Sequence, residues 1–196
     1  MAGSFQLTKE MEGRSVIISP SLLSADVLNM ESDIERIEKE VEWFHLDIMD
    51  GHFVPNLSYG PSLLKALRKR YPDKFIDVHI MVEPPEAFTG MFLAERPSVL
   101  TVHAEATPHI HRVLQSIRNE GVPSGVSINP GTPVELLYPV LHMADLVLLE
   151  QLVINEEDRA AGIAENILDL FFLQAPDYNF RTSQNHCCTQ NASISG

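Results

Sequence analysis

Residues 43–55 read Trp-Phe-His-Leu-Asp-Ile-Met-Asp-Gly-His-Phe-Val-Pro, and the rest of the chain can be understood from them. Successive side chains of a β-strand point to opposite faces, so His45, Asp47 and Met49 share one face. The alternate positions carry only Phe, Leu and Ile. The pattern predicts a strand with one face suited to chemistry and one suited to packing.

Residues 76–81 repeat this arrangement. Their sequence, Ile-Asp-Val-His-Ile-Met, places Asp77, His79 and Met81 on one face and three aliphatic side chains on the other. Two strands of this kind indicate a parallel sheet whose aliphatic face is covered by helices.

Further strands and amphipathic helices alternate along the chain. Apolar runs predict strands at residues 16–21, 98–105, 125–129 and 145–149, and helical spacing predicts helices at 27–42, 62–70 and 108–120. Strands that alternate with helices at this short spacing predict a parallel α/β architecture with right-handed crossovers.

Length and charge limit the classes of function. The 196 residues are enough for one domain with a large core. With 14 Lys and Arg against 27 Asp and Glu, the net charge is -13, which argues against binding to nucleic acid or anionic membranes. An anionic substrate must then be held by local donors, such as backbone N–H groups at helix N-termini.

The sequence favours a cytoplasmic protein. The first fourteen residues contain no apolar run of signal-peptide length, and no segment is apolar for long enough to span a bilayer. Cys187 and Cys188 are adjacent and cannot staple a fold, so a reducing compartment is expected.

His45, Asp47 and His79 offer two imidazoles and a carboxylate from neighbouring strands, a set suited to Zn²⁺, Fe²⁺ or Mn²⁺. On spacing alone, a histidine within a strand is more often a hydrogen-bonded core residue. Met49 and Met81 are equally compatible with core packing. A serine near a strand end commonly caps the next element, which is the simplest interpretation of Ser21.

Five motifs in the first three quarters of the chain resemble the ribulose-phosphate 3-epimerase family. The two central ones are His-Leu-Asp-Ile-Met-Asp-Gly-His-Phe-Val-Pro-Asn at 45–56 and Asp-Val-His-Ile-Met-Val at 77–82. The others are Ser-Pro-Ser-Leu-Leu-Ser-Ala-Asp at 19–26, Thr-Val-His-Ala-Glu-Ala-Thr at 101–107 and Asn-Pro-Gly-Thr-Pro at 129–133. The resemblance implies a (β/α)8 TIM-barrel metalloenzyme of the pentose phosphate pathway.

The resemblance also implies a reaction, the epimerisation of D-ribulose 5-phosphate to D-xylulose 5-phosphate at C3. One aspartate removes the C3 proton, a divalent metal stabilises the enediolate, and a second aspartate returns a proton on the opposite face. Asp47 matches the first aspartate. The family's metal ligands match His45, Asp47 and His79, and its substrate contacts match Ser21, Met49, His79 and Met81.

Beyond residue 149 the family pattern is lost. The Gly-rich phosphate loop and the later Asp-Gly-Gly strand, which supplies the second aspartate in the family, have no counterpart. We therefore expect an incomplete barrel of about five and a half βα units. Its predicted parts are an N-terminal extension at 1–14, the barrel portion at 15–149 and a divergent, partly disordered segment at 150–196.

An unclosed sheet exposes strand edges that favour association, so we expect a homo-oligomer. Without the second acid, we expect epimerase activity to be weak or absent. Two alternatives stay open: a truncated, inactive isoform that associates with full-length subunits, or an epimerase for another ketose phosphate such as allulose 6-phosphate.

Overall fold

The computed structural model describes residues 17–149. Five parallel strands form one sheet in the order in which they occur along the chain. They are β1 (Trp43–Met49), β2 (Phe75–Met81), β3 (Val99–His103), β4 (Ser124–Ile128) and β5 (Leu146–Leu149). The sheet curls into a half-barrel, which confirms the predicted incomplete α/β fold of TIM-barrel type.

One helix precedes β1, and one follows each of β1, β2 and β3. They are α1 (Met30–Ile37), α2 (Pro61–Arg70), α3 (Thr89–Leu93) and α4 (Ile110–Asn119). Five short 3-10 turns, at Leu22–Ser24, Pro85–Ala87, Ala104–Ala106, Val134–Leu137 and Leu141–Met143, complete the described connections. Proline suits the first turn of α2, and Gly121, with φ of 75°, follows α4 in the left-handed conformation that favours glycine.

The outer face of the sheet forms the main hydrophobic core. Its side chains pack against apolar side chains of all four helices, and the buried strand residues of this face are at most 4% exposed. These strand residues are Phe44, Leu46, Ile48, Ile76, Val78, Ile80, Leu100, Val102, Val126, Ile128 and Val147. Full burial of one such side chain contributes about 1.5–3 kcal/mol to stability. The apolar face of each strand must therefore lie against the helices, and the other face then lines the inside of the half-barrel.

A second, smaller cluster closes the inner face at the N-terminal end of the strands. We call it the floor; it consists of Ile17, Trp43, Phe75, Val99 and Leu146. The rings of Trp43 and Phe75 stack with their centroids 4.0 Å apart. The floor therefore places apolar side chains beneath the titratable residues that follow along the same strands.

The strand predicted at residues 16–21 is wrong in extent. Within its described part, the segment forms only one isolated bridge, between Ser21 and His45. The backbone N–H groups of Trp43 and His45 donate to the carbonyls of Ile18 and Pro20, at 3.3 and 3.0 Å. Pro20 has no N–H to return a ladder bond, so the segment lies beside β1 without extending the sheet as a regular strand.

The helix predicted at residues 27–42 is also shorter than expected. The Asp26 carboxylate accepts hydrogen bonds from the Leu28 N–H and the Asn29 side chain, at 3.0 and 2.7 Å. This local side-chain bonding competes with the helix and delays its start to Met30. The predicted N-terminal extension at 1–14 and the divergent segment at 150–196 lie outside the described residues. Within residues 17–149, every helix is too short or too polar to traverse a lipid bilayer.

Candidate metal centre

The register of β1 and β2 brings the titratable side chains together. Asp47 is paired with His79, and His45 with Asp77, across the two parallel strands. Paired residues of neighbouring strands point to the same face, so all four side chains project from the inner face of the half-barrel. Apolar packing on the outer face and register on the inner face thus assemble the site.

The structure brings His45, Asp47 and His79 into direct contact. Oδ1 of Asp47 lies 2.9 Å from Nε2 of His45 and 3.1 Å from Nδ1 of His79. One ligand atom from each side chain lies within 4.8 Å of the others, which makes this a group that could hold a metal ion. Two nitrogens and one carboxylate oxygen suit Zn²⁺, Fe²⁺ or Mn²⁺, so the residues fit the predicted cofactor.

Asp77 holds the outer nitrogen of the first imidazole. Nδ1 of His45 donates to Oδ2 of Asp77 at 2.7 Å, and the Thr101 hydroxyl donates to the other Asp77 oxygen at 3.4 Å. A carboxylate on the outer nitrogen fixes the orientation of an imidazole whose other nitrogen faces a metal. The sequence pattern placed Asp77 on this face, but only the register shows its partner.

Asp47 is fixed from two further directions. The Ser21 hydroxyl donates to Oδ2 of Asp47, and the same oxygen of Ser21 accepts the Leu23 N–H at 3.2 Å. Ser21 therefore caps the adjacent 3-10 turn and also contacts the site. On the backbone, the Ser58 hydroxyl donates to the Asp47 carbonyl at 2.7 Å and accepts the Met49 N–H at 2.9 Å.

The site separates the protonation states of its members. Burial lowers the pKa of His45, but the carboxylates of Asp77 and Asp47 outweigh burial and raise that pKa to about 10. Burial raises the pKa of Asp47, yet hydrogen bonds with both imidazoles leave it well below its usual range. Burial has the largest influence on the pKa of His79 and lowers it. In the metal-free protein, His45 is therefore a cation beside an ionised Asp47.

Met49 and Met81 lie side by side at the next inward positions of β1 and β2. Met81 is 5% exposed but belongs to neither of the two core clusters among the described residues. This position next to the imidazoles differs from that of ordinary core packing. Their contact with substrate stays a prediction, as does that of Ser21 and His79.

Asp50 organises the loop that follows β1, and sequence reasoning gave it no role. Its Oδ1 accepts the N–H groups of His52 and Phe53 at 2.7 and 2.8 Å, and its Oδ2 accepts the Glu83 N–H at 2.9 Å. Asp50 thus ties the loop after β1 to the loop after β2. The Phe53 ring then packs 4.7 Å from the ring of His103 on β3.

Comparisons with known proteins agree with the motif resemblance. Residues 17–153 match the model of the ribulose-phosphate 3 epimerase family. A ribulose-phosphate 3-epimerase of Rhodobacter capsulatus is 49% identical over 135 residues, covering 68% of this chain and 59% of the relative. One from Bacillus subtilis is 44% identical over 133 residues, covering 67% and 61%.

A chloroplastic ribulose-5-phosphate-3-epimerase of Arabidopsis thaliana is 39% identical over 137 residues, covering 68% of this chain and 48% of the relative. The chain thus spans at most about three fifths of the length of these three relatives, from 48% to 61%.

A solved structure provides an independent comparison of the fold. The crystal structure of 3-keto-L-gulonate-6-phosphate decarboxylase from Vibrio cholerae superposes with a TM-score of 0.57 at 12% identity. The match covers 76% of this chain and 67% of the other. At this identity the likeness concerns the fold alone.

Proposed function

Because the chain belongs to the ribulose-phosphate 3-epimerase family, we propose that it acts at C3 of D-ribulose 5-phosphate and interconverts this sugar with D-xylulose 5-phosphate in the pentose phosphate pathway. The observation that carries the proposal is the position of Asp47. Its carboxylate contacts two buried or largely buried imidazoles at the inner face of the half-barrel.

We assign His45, Asp47 and His79 as the ligands of a divalent ion, Zn²⁺, Fe²⁺ or Mn²⁺. Such an ion, when bound, supplies a Lewis acid that stabilises negative charge on the substrate's carbonyl oxygen. The residues around the ligands fix their orientation before substrate arrives, since Asp77 holds His45 and Ser21 holds Asp47.

Asp47 is the proposed base for the C3 proton. Its lowered pKa keeps the carboxylate ionised at neutral pH, but the same low pKa makes it a weak base, so its contribution depends on where it is held. The hydrogen bond from Ser21 occupies one oxygen and limits rotation of the carboxylate. The Asp47 carboxylate therefore needs little rearrangement before it accepts the proton.

The remaining predicted contacts give the sugar a mixed surface. Met49 and Met81 offer polarizable, non-ionisable walls that cannot exchange protons with the substrate. Ser21 and His79 offer polar atoms at the same face. We propose that these four side chains contact the sugar phosphate.

Among the described residues we assign one carboxylate, Asp47, to the C3 proton, with His45 and His79 holding the ion by their ring nitrogens. With one such group, C3 proton exchange with solvent needs only Asp47, whereas inversion needs a proton donor on the opposite face. We therefore expect this chain to exchange the C3 proton faster than it inverts the carbon, and to invert it more slowly than a full-length family member.

The test follows C3 of D-ribulose 5-phosphate in D₂O by proton NMR, with purified Zn²⁺-loaded protein, and measures D-xylulose 5-phosphate in parallel. We expect deuterium at C3 with the wild-type protein and none with Asp47→Asn. The exposed Asp73 supplies the matched control, since Asp73→Asn should exchange at the wild-type rate. A C3 proton that persists with Zn²⁺-loaded wild-type protein would contradict the proposal.

The same assay with D-allulose 6-phosphate decides the substrate. Faster C3 exchange in that sugar would favour an epimerase for another ketose phosphate. No exchange in either sugar, with stable co-assembly with a full-length relative, would favour a non-catalytic subunit.

We further propose a cytoplasmic homo-oligomer that binds neither nucleic acid nor membranes. The net charge of -13 supports the last two points. The edges of an open sheet favour association between copies. Light scattering coupled to size-exclusion chromatography measures the oligomeric state, and a strictly monomeric mass would refute the assembly.

A further inference from the structure

His103 lies beside the proposed metal site but outside the ligand group. It ends β3, its side chain is fully buried, and its Nε2 lies 2.8 Å from Nε2 of His79. That nitrogen of His79 is the one not facing Asp47, because Nδ1 makes that contact. His103 therefore touches a proposed ligand from behind.

The hydrogen bond restricts the protonation of both rings once an ion is present. For Nδ1 of His79 to bind a cation, it must present a lone pair, so the proton of the neutral ring lies on Nε2. Nε2 of His103 must then accept that proton in the 2.8 Å bond. The proton of a neutral His103 is left on Nδ1.

Nδ1 of His103 faces a suitable acceptor. Oε2 of Glu105 lies 3.4 Å from it. The other oxygen of Glu105 accepts the Asn129 N–H at 2.7 Å and the Thr132 hydroxyl at 2.5 Å. Glu105 is thereby attached to the loop after β4. From His79 through His103 to Glu105, each donor in this arrangement faces an acceptor.

We propose that His103, held by Glu105, is a positioning residue that keeps the proton of His79 on Nε2 and so directs Nδ1 of His79 toward the cation. The inference rests on the proposed function, because it presupposes a metal at this group. Phe53 packs against the His103 ring, with centroids 4.7 Å apart.

Through Glu105 and His103, the loop after β4 also affects the proposed metal site. Asn129 and Thr132 contact Glu105 rather than a ligand, yet they hold the acceptor on which the orientation of His103 depends. Outer groups of this kind typically change metal affinity by about 10–100-fold when they are removed.

The test measures Zn²⁺ affinity by competition with a chromophoric chelator. We expect His103→Leu to weaken binding by about 10–100-fold. In His103→Gln, a side-chain oxygen can still accept from His79, so this variant should recover most of the lost affinity. Ser127, buried and paired with His103 in the strand register, provides the control: Ser127→Ala should bind Zn²⁺ like the wild type.

A second readout uses the unmodified protein. Nitrogen-15 NMR of the Zn²⁺-loaded wild type should show His79 protonated on Nε2 and His103 protonated on Nδ1. The opposite tautomer of His103 would overturn the proposal. This measurement decides the question even if His103→Leu fails to fold.

The outcomes separate this inference from the proposed function. Wild-type protein that binds no Zn²⁺ would refute the metal site and the inference together. Zn²⁺ binding that is equally tight in the wild type and in folded His103→Leu would refute the positioning role alone.

Discussion

Single side chains set the chemistry of the inner face, and Asp77 illustrates how. It is 4% exposed, and its Oδ2 lies 2.7 Å from Nδ1 of His45. The Thr101 hydroxyl donates to its other oxygen, so both oxygens of this buried carboxylate are hydrogen-bonded. A buried carboxylate in this position stabilises one orientation of the ring. The orientation leaves Nε2 of His45 directed at Asp47.

Replacing Asp77 by asparagine tests this effect. Asp77→Asn keeps a hydrogen-bond acceptor but removes the charge, and we expect the Zn²⁺ dissociation constant to rise by about tenfold. Isothermal titration calorimetry measures the constant, with Asp73→Asn as the exposed control. An unchanged constant in a folded variant would show that Asp77 does not orient His45.

Asp50 allows a prediction about stability. Its three accepted backbone hydrogen bonds join two loops, and Asp50→Ala removes them together. We expect a loss of about 1–2 kcal/mol in the free energy of unfolding, measured by urea denaturation. Asp73→Ala should change this free energy by less than about 0.5 kcal/mol. Equal values for the two variants would be the contrary result.

Alternation along a strand was enough to predict which residues face the site. The pattern of β1 and β2 places His45, Asp47 and His79 on one face, and the structure brings these three side chains into contact there. The partner of each nitrogen was not predictable, because it depends on the register between strands about thirty residues apart. For the same reason, the contact between His103 and His79 could not be derived from the sequence.

At the scale of elements, the close approach of β3 and β4 depends on a glycine. A Cβ at Gly125 would lie 2.2 Å from the hydroxyl oxygen of Thr101 and 3.1 Å from its Cα. Thr101 in turn donates to Asp77. The small residue on β4 therefore leaves room for a side chain that supports the site from β3.

Gly125→Ala should disturb this contact. We expect it to destabilise the protein by about 1–3 kcal/mol, because the added methyl group overpacks a buried position. Gly131→Ala is the matched control, since its Cβ would meet no atom within 4 Å. Urea denaturation compares the two, and a neutral Gly125→Ala would mean that the strands can separate at low cost.

Element boundaries were less predictable than element types. The segment before β1 has the apolar pattern of a strand, but Pro20 cannot donate a ladder bond. The apolar pattern predicts a helix that begins several residues before α1. The Asp26 carboxylate accepts hydrogen bonds there and forms a turn instead. In both places, a local hydrogen-bonding requirement outweighed the periodicity of hydrophobic residues.

At the scale of the whole molecule, the sheet of the described residues ends at β5. Within residues 17–149, β5 pairs with β4 alone. The described part of the chain thus presents strand groups available for pairing, consistent with the proposed association of copies. The three proposed metal ligands lie on β1 and β2, at the end of the sheet away from the β5 edge.

A metal bound at β1 and β2 should stabilise the whole fold. Zn²⁺ at about one hundred times its dissociation constant should add about 2.7 kcal/mol to the free energy of unfolding. Differential scanning fluorimetry of chelator-treated protein, before and after Zn²⁺ addition, should show a rise in Tm of several degrees. His79→Ala should abolish the rise and exposed His111→Ala should retain it; an equal rise in both would place the ion elsewhere.

The floor gives the molecule an optical reporter. The sequence has one tryptophan, Trp43, and its indole is 1% exposed and stacked on Phe75 directly below the inner polar residues. Tryptophan fluorescence, excited selectively over that of the tyrosines, therefore originates from a single known environment, and a red shift of its emission maximum would report water entering the half-barrel from the N-terminal end of the strands.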